Sequence, residues 1–403
     1  MKVAGIAAEY NPFHKGHKYH LAMVKKATGA DYIIVALSGN FCQRGVPAFF
    51  DKMTRTRMAL SEGADMVVEI PVPYATSSAE GYALGSVGTL DCLGIINNMC
   101  FGMESKYTEE LEIAASKIRN AKETSKDLIN DCFKDGKSYA GAMSEIVGDD
   151  DIMTPNNILG IEYINAIYRL GSNMSPFGIT RLGSYASDKL ANDSDTFSSA
   201  SAVRKALSEE GLKGCKEHIP ENAFNIMKES FEKKGPLCQD DFSNELYHML
   251  KLKSKTGFED ILGIDRSLSD RITNLIPQYN GYEDFTALVK TRNVTHSHVS
   301  RAMLHILLDI RKDSYKELSS KKHLPYVHVL GFKDESLGLL KEIKENAKCP
   351  VIYKAEDTKL LSDPKDINLL NIDLISADIY NGKIKQKYGV EIKSDFASPV
   401  LKI

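Results

Sequence analysis

Apolar residues in the first third of the chain form short continuous runs, and stretches with helical spacing separate these runs. A short apolar run bounded by turn residues is typical of a strand that is buried on both faces of a sheet. The predicted strands are Val3–Ala8, Tyr32–Leu37, Asp65–Ile70, Ile95–Phe101 and Phe177–Leu182. The predicted helices are Gly16–Ala27, Lys52–Glu62, Ser77–Leu93, Asn156–Leu170 and Ala200–Glu210.

The alternation of these strands and helices predicts an α/β fold. Repeated βαβ units require a parallel sheet, and right-handed crossovers favour a Rossmann-like, doubly wound topology. After about residue 212 the spacing becomes mostly helical, and strand-like runs return between residues 325 and 403. We therefore predict a catalytic α/β domain over residues 1–212, a helical domain over 213–322 and a small α/β domain over 323–403.

The composition is that of a globular protein without a dominant charge. Of 403 residues, 43% are hydrophobic and 26% are charged, and the formal net charge is −3. These values exclude a uniformly basic chain, although a basic patch on one face remains compatible with them. The seven cysteines form no paired motif, and no apolar run is long enough to span a bilayer. Because the amino terminus resembles a strand and not a signal peptide, we expect a cytoplasmic protein without membrane contact.

The segment His14-Lys15-Gly16-His17 follows the first predicted strand directly and opens the first predicted helix. A helix that begins after a buried strand presents free backbone N–H groups and a positive dipole end. Gly16 allows a ligand to approach the backbone closely, and the two imidazoles can donate hydrogen bonds to phosphate oxygens. This arrangement predicts a nucleotide site in which His14 and His17 are catalytic.

A metal site is the alternative for the same segment, because His14, His17 and His20 are spaced by three and zinc accepts imidazole ligands. No cysteine or carboxylate completes such a set, and the strand-to-helix turn with its glycine suits phosphate better. We therefore predict no metal site here and interpret His20 as a partly buried helix residue.

A second candidate for phosphate binding is the serine-rich turn before the predicted helix Ala200–Glu210. Ser198 or Ser199 can act as the N-cap, and the remaining hydroxyls and first-turn N–H groups can hold a phosphate that Arg204 neutralises. The alternative is a capped amphipathic helix with exposed basic residues. The position of this serine-rich turn downstream of the histidine motif favours the phosphate site.

The histidine motif together with the Ser-x-Ser-x-x-Arg helix start resembles the class I nucleotidylyltransferases, which are related in fold to class I aminoacyl-tRNA synthetases. A narrower resemblance links the chain to the bacterial tRNA(Met) cytidine acetate ligases. The similar segments are Glu9–His20, Ser38–Gly45, Phe101–Glu104, Pro155–Gly160 and Thr180-Arg181.

This resemblance implies an enzyme that activates acetate with ATP and transfers the acetyl group to the wobble cytidine of elongator tRNA(Met). It implies an ATP site in Ala7–His20 with Gly102, Asn157 and Arg181, and Asn156 is the neighbouring candidate. For Asn157 a helix-capping role is the alternative. Mg²⁺ is expected with the nucleotide. The expected ATP-binding residues are Ala7, Ala8, Glu9, Tyr10, Asn11, Pro12, Phe13, His14, Lys15, Gly16, His17, Lys18, Tyr19, His20, Gly102, Asn157, Arg181, Ser199 and Arg204.

An RNA-binding surface is predicted from the stretch Lys290–Arg301, which mixes cations, imidazoles and hydroxyls without an acidic residue. Such a composition suits backbone phosphates, although a capped and solvated helix start has the same residues. The expected RNA contacts are Arg44, Lys290, Arg292, His296 and Arg301. Two other functions remain open: a small-molecule adenylyltransferase or acid-activating ligase of the same fold, and a nucleotide-sensing protein without turnover.

Overall fold

The central feature of the protein is a mixed eight-stranded sheet. A computed structural model describes residues 1–124, 139–181, 190, 197–397 and 399–403. Within them, the strands are β1 (Val3–Ala8), β2 (Tyr32–Ser38), β3 (Phe41–Cys42), β4 (Val46–Pro47), β5 (Met66–Ile70), β6 (Asn98–Met103), β7 (Ser175–Thr180), β8 (Val327–Phe332), β9 (Val351–Ile352) and β10 (Leu401–Lys402). The sheet has the order β10-β8-β5-β2-β1-β6-β7, with β9 also paired to β8, and β3 and β4 form a separate hairpin.

The strands β5, β2, β1, β6 and β7 are parallel neighbours, which is the strand order of a doubly wound fold. Strand β1 lies in the middle, where Ile6 pairs with Val35 of β2 on one side and with Cys100 of β6 on the other. The direction of winding reverses between β1 and β6. In open α/β sheets, ligands bind at the carboxyl ends of the strands at such a switch point.

The helices of the first 212 residues are α1 (Lys15–Thr28), α2 (Lys52–Ser61), α3 (Val72–Ala75), α4 (Ala79–Cys92), α5 (Thr108–Thr124), α6 (Tyr139–Val147), α7 (Pro155–Leu170) and α8 (Ala200–Glu210). The later helices are α9 (Glu221–Lys233), α10 (Ser243–Lys253), α11 (Arg266–Leu275), α12 (Tyr282–Val289), α13 (His296–Leu307), α14 (Lys312–Ser320), α15 (Leu337–Asn346) and α16 (Pro364–Tyr388). Short 3₁₀ helices span Gly211–His218, Gln239–Phe242, Ile276–Gln278, Asp334–Ser336 and Ala355–Leu360. No helix in the described part of the chain has both the length and the apolarity to cross a membrane.

Alternate residues of the buried strands face opposite layers of helices. Ile34 and Ala36 of β2 belong to the core beneath α4 and α7. Ile33 and Val35 belong to the core beneath α1, α2 and α8. Because both faces are covered, the strands contain almost continuous apolar runs, and this pattern made them predictable.

The helical region has a hydrophobic core of its own, built mainly by α10, α11, α12 and α13. Phe41 of the hairpin and Val72 of α3 also belong to this core, so it is continuous with the catalytic part of the chain. These helices pack directly on the α/β part of the chain, so the division into separate domains over residues 213–322 stays a prediction.

The strands of the carboxyl-terminal region do not form a sheet of their own. Strand β8 pairs antiparallel with β5, where Val67 lies opposite Gly331. Strands β9 and β10 then pair parallel with β8. Although the sequence predicted a separate small α/β piece over 323–403, these strands extend the first sheet, because strand pairing depends on long-range contacts that local spacing does not encode.

The predicted elements of the first half are otherwise present, with shifted ends. Gly102 lies within β6 instead of closing it, and a short helix α3 precedes the helix that was predicted from Ser77. The last predicted residue of the fifth strand, Leu182, lies outside the described residues.

Candidate functional site

The chain turns sharply between the end of β1 and the start of α1, at the switch point of the sheet. Tyr10 has a φ of 46°, which residues other than glycine rarely adopt, and the Asn11–Pro12 peptide bond is cis. The side-chain oxygen of Asn11 accepts a hydrogen bond from the amide of Phe49 at 2.7 Å. This turn brings His14 to the N-cap position of α1.

His14 and His17 cap the first turn of α1 reciprocally. Nδ1 of His14 accepts the amide N–H of Gly16 at 3.1 Å, and Nδ1 of His17 accepts the amide N–H of His14 at 3.2 Å. The two imidazole rings stack, with centroids 3.6 Å apart and planes 24° from parallel. The His17 ring also contacts the edge of Tyr10, at a centroid distance of 4.8 Å. His14 is buried and His17 is half-buried, so the pair is held rigidly with one ring partly open to solvent.

Both imidazoles are neutral at physiological pH. Burial and the charges of Arg181 and Arg204 lower the pKa of His14 to about 3. Burial and the neighbouring His14 lower the pKa of His17 well below its ordinary value of 6.5. Because each Nδ1 accepts a backbone N–H, the single ring proton resides on Nε2. Each ring is therefore a hydrogen-bond donor through Nε2.

The serine-rich turn before α8 packs against this first turn of α1. A Cβ atom on Gly16 would lie 2.9 Å from Cε1 of His14 and 3.2 Å from Cβ of Phe197. Only glycine therefore fits between these two residues without displacing one of them. Ser199 is the N-cap of α8, and its Oγ accepts the amide N–H of Ala202 at 3.1 Å. The two motifs predicted to bind phosphate are thus in contact.

Arg204 links the two turns. Its Nη1 donates to the carbonyl oxygen of Asn11 at 2.6 Å, and its Nη2 donates to Oγ of Ser201 at 3.2 Å. Arg204 as a residue is half-buried, and burial of its guanidinium lowers the pKa, yet an arginine keeps its charge. The arrangement holds a permanent positive charge beside the neutral histidines.

Strands β6 and β7 supply the other side of the crevice. A Cβ atom on Gly102 would lie 3.2 Å from Cγ of Arg181, which follows β7 directly. The charge of Arg181 contributes to the lowered pKa values of His14, His17 and His20. Arg181 therefore lies near the histidine turn, as its predicted role requires, and His20 is half-buried as predicted.

The chain is similar to known proteins along its whole length. Residues 1–394 match the HIGH Nucleotidyl Transferase family. The tRNA(Met) cytidine acetate ligase of Thermoanaerobacter sp. (strain X514) is 37% identical over 414 residues, with 100% of both chains covered. The chain belongs to the tRNA(Met) cytidine acetate ligase family. The ligase of Clostridium perfringens (strain ATCC 13124) is 33% identical over 419 residues, again with 100% of both chains covered.

Solved structures share the fold of this family member. The crystal structure of Thermotoga maritima TmcAL bound with alpha-thio ATP matches with a TM-score of 0.90 and 28% identity, over 100% of both chains. The apo structure of the same protein matches with a TM-score of 0.92 and 29% identity, over 100% of both chains. The predicted family and the predicted α/β fold are therefore confirmed.

In this member of the family, Asn157 holds the turn that follows β6. Its Oδ1 accepts the amides of Glu104 and Ser105 at 2.8 and 3.2 Å, and its Nδ2 donates to Oγ of Ser105 at 2.9 Å. The residue is buried, and both ends of its side-chain amide bind this turn. The geometry gives Asn157 a positioning role beside Gly102, and a direct contact with ATP stays a prediction.

Glu104 is a residue whose role the sequence did not reveal. Its carboxylate accepts hydrogen bonds from Oγ1 of Thr154 at 2.8 Å and from the amide of Asn157 at 3.0 Å, and also from Nδ2 of Asn156. Glu104 therefore caps α7 from outside the helix, and the alternative in which Asn157 is the cap is wrong. The only signal in the sequence was its place in the motif Phe101–Glu104.

Arg55 is a second residue that sequence reasoning missed. It is fully buried, and it donates to the carbonyl oxygens of Phe50 at 2.9 Å, Glu9 at 2.7 Å and Ser38 at 2.9 Å, and also to that of Gly39. One side chain thus ties the ends of β1 and β2 to the start of α2. Arg55 lies in a helix rich in polar residues, so the sequence around it did not indicate that its side chain is buried.

The zinc alternative finds no support in the geometry. Within the described residues, the only group of three metal-ligating side chains with atoms within 4.8 Å of one another is Glu69, His328 and Asp395. Lys52 donates to both of these carboxylates, so an ammonium group already offsets part of their charge. This cluster joins the carboxyl-terminal region to β5 and lies outside the histidine turn.

The predicted RNA contacts fall into two groups. Lys290 and Arg292 are exposed between α12 and α13, His296 is exposed at the start of α13, and Arg44 is exposed in the hairpin of β3 and β4. Arg301 differs, because it is half-buried on α13.

The hairpin that carries Arg44 connects this region to the histidine turn. The amide of Gln43 donates to Oε1 of Glu9 at 2.8 Å, and Oγ of Ser300 donates to the carbonyl oxygen of Gly45 at 3.0 Å. One short hairpin therefore contacts both the predicted nucleotide segment and the helix α13.

Proposed function

We propose that the protein activates acetate with ATP and transfers the acetyl group to the wobble cytidine of elongator tRNA(Met), which yields acetylcytidine. The shared name of its relatives and the ATP analogue bound by T. maritima TmcAL support this function. The observation that carries it is the stacked pair His14 and His17, with two Nε2 donors at a helix start in the crevice between β1 and β6. Such a reaction belongs to the cytoplasm, where ATP and tRNA occur together.

In the first step, a carboxylate oxygen of acetate attacks the α-phosphorus of ATP. The bond from this phosphorus to the bridging oxygen breaks, so that acetyl-adenylate and pyrophosphate form. Negative charge develops on the phosphoryl oxygens and on the leaving group. His14 and His17 donate hydrogen bonds to these oxygens, and because their rings are already oriented, little reorganisation is needed.

The nucleotide is bound by the segment Ala7–His20 together with residues from three later parts of the chain. The free N–H groups at the start of α1 and the charges of Arg181 and Arg204 attract the phosphates. Ser199, Gly102 and Asn157 line or support the same crevice. Mg²⁺ would be held mainly by phosphate oxygens, and Glu9 is the only carboxylate that the segment Ala7–His20 offers it.

In the second step, the exocyclic amine nitrogen of the cytidine attacks the acetyl carbonyl carbon. The bond from this carbon to the phosphate oxygen breaks, AMP leaves, and the nitrogen releases a proton. No side-chain nucleophile is required. Arg44, Lys290, Arg292 and His296 are exposed cations or imidazoles suited to RNA phosphates.

The first step can be tested without RNA by acetate-dependent exchange of labelled pyrophosphate into ATP. We expect the wild-type enzyme to exchange label only when acetate is present. We expect the His17→Ala variant to lose this exchange. Exchange with no dependence on acetate would contradict acetate activation. A protein that binds ATP but performs no exchange would instead be a nucleotide sensor.

The second step is tested by adding elongator tRNA(Met) and analysing its nucleosides by mass spectrometry. We expect acetylcytidine to accumulate only when acetate, ATP and the wild-type enzyme are all present. Label that appears instead on a small acceptor, with the tRNA unchanged, would support the small-molecule ligase alternative. A transcript with the wobble cytidine replaced by uridine is the control for the acceptor base.

A further inference from the structure

A second cavity lies between the catalytic sheet and the helical region. It has a volume of about 360 Å³, and the start of α4, the loop around Gly263, and helices α13 and α14 line it. Helix α4 follows β5 and α3, so its first turn lies on the side of the sheet where the strands have their carboxyl ends. None of the described residues that line the cavity belongs to the segment Ala7–His20, so the cavity is distinct from the histidine turn.

Arg301 is the most unusual group in the cavity wall. It is half-buried, and among the described residues no carboxylate or carbonyl accepts a hydrogen bond from its guanidinium. Burial lowers its pKa, yet arginine remains charged. A charge that is withdrawn from water without a partner costs free energy, so proteins rarely retain one unless a ligand balances it.

The backbone that carries Arg301 is held firmly in place. A Cβ atom on Gly45 would lie 2.3 Å from the amide nitrogen of Arg301, so the hairpin packs directly on this turn of α13. The neighbouring Ser300 donates to the carbonyl of Gly45 at 3.0 Å and accepts from Nε2 of Gln239 at 2.9 Å. The position of the guanidinium stem is thus set by the fold, as a binding site requires.

Two hydroxyl groups belong to the cavity wall, that of Ser77 just before α4 and that of Tyr315 on α14. Oγ of Ser77 donates to the hydroxyl of Tyr315 at 3.4 Å. A Cβ atom on Gly81 would lie 2.1 Å from Oγ of Ser77 and 2.4 Å from the hydroxyl of Tyr315. Glycine is needed here for the two hydroxyls to reach the helix backbone. Ser77 is buried and Tyr315 is half-buried, so water competes weakly for them.

The other charges of the cavity are already engaged. Arg169 donates to the carbonyl of Ser319 at 3.0 Å and lies 3.9 Å from Glu80. Glu80, the acidic residue in the wall, also pairs with Lys122 at 3.4 Å. Nε2 of His298 lies 2.7 Å from the carbonyl oxygen of Gly263. Arg301 is thus the charge that the cavity leaves unbalanced.

We propose that this cavity binds a phosphate group of the RNA acceptor, with the guanidinium of Arg301 and the hydroxyl of Tyr315 as donors; Ser77 orients that hydroxyl by donating to it. A planar guanidinium binds a phosphodiester through two parallel hydrogen bonds, and hydroxyls complete such sites. The exposed residues Lys290 and Arg292 lie in the loop before α13, and His296 starts that helix, so an RNA backbone that crosses them continues toward this cavity. This assignment rests on the proposed function in taking RNA as the acceptor.

The test is the affinity for an elongator tRNA(Met) transcript, measured by fluorescence anisotropy over a series of salt concentrations, without acetate or ATP. For Arg301→Gln we expect binding about tenfold weaker than wild type, and a slope of log K against log salt that is shallower by about 0.9. Arg57→Gln is the control, because it removes the same charge from a half-buried position on α2, on the opposite face of the sheet.

Unchanged affinity and an unchanged salt slope in Arg301→Gln would overturn the assignment. If that variant does not fold, as judged by circular dichroism, Tyr315→Phe takes its place, with an expected loss of about threefold; wild-type affinity in Tyr315→Phe would then overturn it. Inorganic phosphate is the second probe, followed by calorimetry. Arg301-dependent binding of phosphate together with unchanged RNA binding would assign the cavity to a free anion instead.

Failure of the proposed function gives a different result. A protein that binds tRNA in an Arg301-dependent manner but forms no acetylcytidine keeps the cavity assignment and loses the proposed reaction. If the Arg301→Gln variant acetylates the tRNA and binds it with wild-type affinity, the proposed reaction stands and the cavity assignment is wrong.

Discussion

Nδ1 of His17 accepts the backbone N–H of His14 at 3.2 Å, and the two imidazole rings stack with centroids 3.6 Å apart. The helix cap and the proposed catalytic donors are therefore the same two side chains. This reciprocal arrangement resembles a capping box in which imidazoles replace the usual hydroxyl and carboxylate. This arrangement places the ring proton of each histidine on Nε2, and no further residue is needed to fix the tautomer.

Removal of one imidazole donor should slow the first step. For His17→Ala we expect kcat of acetate-dependent pyrophosphate exchange to fall by about 100-fold or more, because one oriented donor to the phosphates is lost. The kcat of His14→Asn should fall by a similar factor. Helix α1 should remain stable in this variant, because the asparagine keeps a capping oxygen for the amide of Gly16. His248→Ala, at an exposed position on α10, is the matched control and should exchange at the wild-type rate. Exchange by His17→Ala at the control rate would remove the histidines from the reaction.

The lowered histidine pKa values should make stability depend on pH. In the unfolded chain, His14 and His20 gain a proton near pH 6.5, whereas burial lowers their folded pKa values to about 3 and about 4. Below pH 6.5 the unfolded state therefore binds more protons, and each residue lowers the free energy of unfolding by up to about 1.4 kcal/mol per pH unit. The loss continues down to the folded pKa of each residue.

Urea denaturation from neutral pH to about pH 4 measures this effect. The His14→Asn variant has one titrating group fewer, so its stability should fall less steeply with decreasing pH than that of the wild type. Equal slopes would contradict the lowered pKa of His14.

In the wild type, the pyrophosphate exchange rate should show no inflection near the ordinary histidine pKa, because both rings stay neutral.

Arg55 should be essential to the geometry of the site although it lies beneath it. Arg55→Met leaves the buried carbonyl oxygens of Glu9, Ser38 and Phe50 without their donor, so we expect a loss of about 3 kcal/mol or more in the free energy of unfolding. The exchange rate should fall as well, because the Glu9 turn loses its anchor. Arg57→Met, on the same helix but only half-buried, should change stability by about 0.5 kcal/mol or less. A stable Arg55→Met variant with full exchange would contradict this role.

Asn157 and Glu104 should behave as one unit. Asn157→Ala removes the acceptor for the amides of Glu104 and Ser105, and Glu104→Ala removes the acceptor for the amide of Asn157. We expect each variant to raise KM for ATP by about tenfold with a smaller change in kcat, because the turn beside Gly102 moves. The double variant should be little worse than either single one. Additive effects, or an effect of Asn157→Ala alone, would indicate a direct contact of Asn157 with ATP.

Local sequence was sufficient for the elements and for the motif at their centre. Val3–Ala8 and Tyr32–Leu37 are continuous apolar runs because both faces of their sheet are covered, and this burial is visible in the residues themselves. His14, Gly16 and His17 were recognisable because a strand-to-helix turn needs its capping and glycine residues at fixed spacing.

Only the tertiary structure decided which distant residues support that motif. Arg55 and Glu104 look like ordinary polar residues of a helix or a loop, and their burial and partners depend on segments far away in the chain. Arg301 was predicted as an RNA contact from its sequence neighbours, but its partial burial in a cavity was not. The same holds for β8, whose apolar run predicted a strand but not its antiparallel pairing with β5. Periodicity and turn chemistry act between near neighbours and are written in the sequence, whereas long-range pairing and the desolvation of single charges follow from the packed chain as a whole.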